Sequence, residues 1–144
     1  MKYFTIDEMT RSNTARAKGI NNTPNAEIIA KLTALIENTL DPLRTAYGKP
    51  IHVNSGYRCP ALNKAVGGAS NSGHMYGIAA DIDAGSKTQN QILWHLVIDK
   101  GIPFTKMINE QNYSWVHIAF DANNISKILL KAEKKNGKWV YKTL

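Results

Sequence analysis

Apolar residues recur along this chain with two different periods, and the change between them separates helical from extended stretches. Ile28, Ile29, Leu32, Leu35, Ile36, Leu40 and Leu43 follow one another at three- and four-residue steps. That spacing places them on one face of a helix, as core residues. Asn21-Asn22-Thr23-Pro24 reads as the helix start, a capping Asn or Thr followed by proline at the first helical position. Pro42 kinks the end, and Gly48-Lys49-Pro50 stops it. A short helical turn is predicted over 61–66, ending at Gly67-Gly68, and a longer helix over 87–99, closed by Lys100-Gly101. The N-terminal segment, with Ser12, Thr14 and Gly19, leads into the first long helix.

Elsewhere the period is two. Residues 51–55 read as a strand running into the loop Gly56-Tyr57-Arg58-Cys59-Pro60. In 78–83, Ile78, Ala80 and Ile82 oppose Ala79, Asp81 and Asp83; in 115–120, Val116, Ile118 and Phe120 oppose Trp115, His117 and Ala119. A hairpin is predicted from 105 to 120, with its turn near 111–114. Another closes the tail, with Asn136-Gly137 as a two-residue turn. The sum is an α+β fold, helices packed on a small, mainly antiparallel sheet.

This face arithmetic brings chemistry with it. If both central strands bury their apolar faces in one core, Asp81 and His117 emerge on the same side of the sheet. His74 precedes the first of them in a Gly-flanked loop able to fold back over that side. Two imidazoles and a carboxylate are a common open zinc set, three protein ligands with a fourth position left for water. A core histidine, a solvated aspartate and a loop histidine would explain each residue alone. A metal site explains the three together.

Composition narrows the class. The chain has 144 residues, 43% of them hydrophobic, enough for one domain with a core that needs no staples. No apolar stretch approaches a membrane span, and the N-terminus has no apolar signal segment. Such a protein is expected to be made in the cytoplasm and to act beyond it only after release. Cys59 is the lone cysteine, which excludes an internal disulfide. The net charge of +7 is uneven: residues 51–122 balance, whereas in 123–144 six lysines face Glu133 alone. The tail has no arginine and few aromatics, so it reads as a solvated lysine face rather than a nucleic-acid site. A metal-dependent nuclease is disfavoured further because such enzymes tend towards carboxylate-rich magnesium sites. A monomer is expected.

Several ordered motifs carry a family likeness: Ser55-Gly56-Tyr57-Arg58, Asn63, Val66-Gly67-Gly68, Ser72 to Asp81 with His74, Gly77 and Ala79 between, and Trp115-Val116-His117. Phe4-Thr5-Ile6-Asp7-Glu8-Met9 and Asn22-Thr23-Pro24 join them. From Tyr3 to about Phe120 the chain resembles the M15 peptidases, zinc D-Ala-D-Ala carboxypeptidases and related phage endolysins, and most closely their short M15A-like branch. The resemblance implies a hedgehog/D-Ala-D-Ala-peptidase-like zinc site with His74, Asp81 and His117 as ligands. It also implies hydrolysis of a peptide bond near a D-amino acid in peptidoglycan. It assigns Arg58 to the substrate or the developing oxyanion, for which a five-donor guanidinium is suited; a surface ion pair is the plain alternative. Ser72 and Trp115 are candidate substrate contacts, although Ser72 would serve equally as a loop cap.

The general base is less determined. Some branches carry Glu three residues before the last histidine, where this chain has Ser114. Glu110 is the nearest carboxylate on the other arm of the predicted hairpin, and cross-strand pairing would bring it beside Trp115 or His117. A charged residue at an exposed turn is the competing reading. Asp83 shares the face of Asp81 and is a second candidate for base or supporting residue. Asp121 and His52 are weaker, and His95 is structural. A non-catalytic wall-binding module that keeps the zinc fold is the alternative function.

Overall fold

The computed structural model describes residues 1–144. Two short helices, α1 (Ile6–Thr10) and α2 (Asn13–Lys18), occupy the N-terminal segment, capped by Thr5 and Ser12 side chains. The long apolar stretch then forms α3 (Ala26–Leu35), a π-helical turn (Ile36–Leu40) and α4 (Asp41–Tyr47). Its start differs from the sequence expectation. Asn25 is the cap, accepting the Ile28 N–H at 2.9 Å, and Pro24 lies outside the helix. Asn21 instead accepts the Thr23 N–H in a local turn, and the Asn22 side chain is engaged elsewhere.

The helix runs on through Pro42 and stops at Gly48, as expected. Pro42 has no N–H for the carbonyl four residues earlier, and the wider π turn lies immediately before it. Leu32, Leu35, Ile36, Leu40 and Leu43 are core, as expected, but Ile29 is 39% exposed.

Six strands form one sheet: β1 (His52–Ser55), β2 (Ala79–Asp83), β3 (Lys106–Glu110), β4 (Trp115–Ala119), β5 (Ile128–Lys135) and β6 (Lys138–Thr143). Their order is β1-β2-β4-β3-β5-β6, antiparallel except where β5 runs parallel to β3. Between them lie α5 (Pro60–Ala65), a 3₁₀ turn (Gly73–Tyr76) and α6 (Lys87–Asp99). The predicted α6 is observed, with Ser86 as its cap, as is the Asn136-Gly137 turn, both residues of which have positive φ.

One face of the sheet gives Val53, Ala80, Ile82, Met107, Val116 and Ile118 to the same apolar cluster as the helix residues. The other face of the central strands carries Asp81, Ile108, Glu110, Trp115 and His117 into a cleft.

Candidate metal centre

Asp81 and His117 are direct cross-strand partners on β2 and β4. A strand's side chains alternate faces, so the buried Ile82–Val116 and Ala80–Ile118 pairs on either side force this pair out towards the cleft. The His117 Nδ1 lies 3.0 Å from Asp81 Oδ1, and His74 Nε2 approaches the same oxygen at 3.3 Å. The imidazole planes stand at 74° with centroids 5.1 Å apart. One donor atom from each of the three residues lies within 4.8 Å of the others.

His74 reaches this position from the 3₁₀ turn rather than from an irregular loop. Ser72 Oγ accepts the His74 N–H at 3.2 Å, and Gly77 closes the turn at φ 74°. Only 2% of His74 is exposed. Its Nδ1 lies 2.7 Å from the Gly56 carbonyl, an acceptor, which places the proton on Nδ1 and the lone pair on Nε2, aimed at Asp81. Gly56 is required there because a Cβ would run into the Met9 backbone. The donor set therefore fits a cation, with two imidazole nitrogens and a carboxylate converging and one imidazole held in the ligating tautomer by a carbonyl behind it.

Electrostatics agree. Burial alone would push the Asp81 carboxyl up, but the two histidines hold it well below the usual carboxylate range. Burial lowers the His117 pKa, and Asp81 opposes that shift.

Arg58 enters from the loop after β1. Asn22 ties that loop down, donating to the Thr10 and Tyr57 carbonyls and accepting the Cys59 N–H at 2.7 Å. The Arg58 N–H donates to the His74 carbonyl at 3.0 Å, which ties the two loops together. A guanidinium nitrogen donates to Ser72 Oγ at 3.4 Å, while the buried Nε has no partner. Ser72 thus realises the loop-cap reading and also touches Arg58.

Glu110 ends β3 opposite Trp115 and lines the same cleft, with 7% exposure, and is not on an exposed turn. Burial first, then the Asp81 charge, pushes its carboxyl up to about 7, against the pull of Lys106. Asp83 stands apart. Opposite His52, it accepts from Gly85 N–H at 2.8 Å and Asn90 Nδ2 at 3.0 Å. Asn90 also donates to the Tyr113 and Ser114 carbonyls, fixing the β3–β4 turn. His52 lines a second cavity, His95 is exposed on α6, and Asp121 sits in the turn after β4. None of these joins the His74, Asp81 and His117 group.

The cleft, about 670 Å³, has one wall that the sequence reading did not anticipate. Leu130, Trp139 and Tyr141 of the tail hairpin line it, along with Lys106 and Ile108. The tail was expected to be a solvated lysine face. Lys131, Lys135 and Lys142 do occupy the opposite side, where they line a separate groove. The available signal was the alternation of Trp139 and Tyr141 with Lys138, Val140 and Lys142.

Residues 2–119 match the family model described as Peptidase M15. The chain belongs to the M15 peptidase family. Over 85 residues, 58% of this chain, it is 45% identical to the zinc D-Ala-D-Ala carboxypeptidase of Streptomyces albus G. It spans 32% of that relative's length. The M15 match includes His74, Asp81 and His117 as well as Arg58 and Glu110, and stops before β5 and β6.

Proposed function

We propose that this M15 protein is a zinc peptidase of cell-wall stem peptides, cutting beside a D-amino acid. In this reading the site is of the hedgehog and D-Ala-D-Ala-peptidase type. The observation that carries it is the convergence of His74, Asp81 and His117 in a cleft that also holds one guanidinium and one raised-pKa carboxylate. The carboxypeptidase relative supports the choice of metal and substrate.

His74, Asp81 and His117 would hold zinc, which polarises a carbonyl and brings water's pKa near neutrality. Glu110 takes the proton of the attacking water and returns it to the leaving amine, a task suited to a carboxylate poised near 7. Arg58, charged and with its Nε unpartnered, binds the substrate's terminal carboxylate or the developing oxyanion. Ser72 holds Arg58 in place, and Trp115 offers an apolar surface to the peptide.

The test is metal analysis of purified protein together with turnover on purified peptidoglycan and on N-acylated peptides ending in D-Ala-D-Ala. One zinc per chain with release of terminal D-Ala supports a carboxypeptidase, and internal cleavage an endopeptidase. Zinc without turnover would identify a wall-binding module instead.

Arg58→Lys is expected to lower kcat/KM by about a hundredfold while leaving thermal stability nearly unchanged. Lysine keeps the charge and loses the planar fork. Parent-like kinetics would assign Arg58 a structural role.

A further inference from the structure

The β5–β6 hairpin lies beyond the family match, yet it lies beside the candidate chemistry. Strand register places Glu110, Ala132 and Tyr141 as successive neighbours across β3, β5 and β6. Ala132, 0% exposed, has no side chain long enough to separate the other two. Lys134 faces Trp139 in the next paired position on this face. The Trp139 ring meets Trp115 edge to face, 6.2 Å between centroids at 80°, with Lys134 Nζ 5.7 Å from its centroid. Trp139 and Tyr141 nevertheless remain 38% and 55% exposed, an open aromatic surface continuous with the cleft. Burial raises the Tyr141 hydroxyl pKa, and the charges at Glu110 and Asp81 raise it further, keeping it a hydrogen-bond donor.

We infer that Trp139 and Tyr141 form a binding site for the peptide on the acyl side of the cleaved bond. This rests on the peptidase reading above. Arg58 and Ser72 stand on the loop bank of the cleft, and the hairpin lies beyond His117 in the strand order. A substrate whose terminal carboxylate is held by Arg58 therefore directs its acyl portion towards the hairpin. From β4 to β6 is three strand spacings, roughly 14 Å, about the length of four extended residues. The ligand is an extended peptide: aliphatic side chains lie against the Trp139 ring, and a backbone carbonyl accepts from the Tyr141 hydroxyl. Lys106, which also lines the cleft, suits an acidic side chain.

The experiment compares N-acylated peptides ending in D-Ala-D-Ala with one to four residues ahead of the cleaved bond. The parent should gain about tenfold in kcat/KM from the shortest to the longest, mostly through KM. In Trp139→Ala and in the milder Tyr141→Phe this ratio should fall towards one. Lys142→Ala, on the opposite face, should keep it. A length-independent parent, or variants that retain the full gain, would overturn the inference. If the parent cleaves none of these peptides, the peptidase reading has failed separately. Calorimetry on the intact peptides then decides. Length-dependent affinity lost in both variants supports the site, and equal affinity in parent and variants overturns it.

Discussion

Glu110→Gln is expected to retain zinc and fold while slowing the catalytic step by about two to four orders of magnitude. The amide matches the carboxylate in shape, occupies the same place on β3 and is not one of the converging metal donors. It cannot accept the water's proton. The acidic limb of the pH–rate profile should flatten with the loss of the titrating group. Asp83→Asn should cost far less, because Asp83 is engaged with Gly85 and Asn90 and does not line the cleft. A fully active Glu110→Gln beside an inactive, zinc-loaded Asp83→Asn would transfer the role to Asp83.

The same substitution has a readout in stability. In the metal-free protein Glu110 titrates at about 7 against an ordinary 4.5, so between those values the folded state binds more protons than the unfolded state. Its contribution therefore weakens as pH rises through that window. His117, whose pKa is lowered, acts in the opposite direction, so the variant must be compared with the parent at each pH. The advantage of Glu110→Gln over the parent should grow by about 3 kcal/mol from below 4.5 to above 7. Urea titrations with chelator present would measure it, and a pH-independent difference would place Glu110 in an unperturbed setting.

His74→Ala, Asp81→Ala and His117→Ala should each lose stoichiometric zinc and bring turnover to background. Two remaining donors do not make a tight site, and Asp81 is the group on which both imidazoles converge. Circular dichroism with chelator separates loss of metal from loss of fold. Full zinc retained in all three variants would refute the ligand assignment. The parent should also be stabilised by zinc, and the three variants should not.

Much of this site was legible because it depends on strand parity. Once Val116 and Ile118 are read as core, His117 must face away from it, and the same holds for Asp81 between Ala80 and Ile82. The Lys100-Gly101 stop likewise marked the end of α6 from local sequence alone. What escaped the sequence depends on which partner a group finds. Asn21, Asn22, Thr23 and Asn25 are all plausible caps, and only the fold commits Asn22 to Thr10, Tyr57 and Cys59. Ile29 fits the helical period yet stays exposed, since the period marks a face without fixing how wide the buried part of it is. The parallel step from β3 to β5 has no local signature either. The alternation of Trp139 and Tyr141 announced a two-faced strand without saying that one face would adjoin His117.

That parallel step also bears on solubility. With β5 in place, the outer backbone groups of β3 from Lys106 to Glu110 are paired. A chain cut where the family match ends would leave them as a bare sheet margin, beside Ile108, open to another chain and hence to aggregation. The hairpin moves the margin outward to β6, where Lys138 and Lys142 interrupt the apolar positions. Charge on a terminal strand discourages such joining, so the basic tail has a use that requires no polyanion.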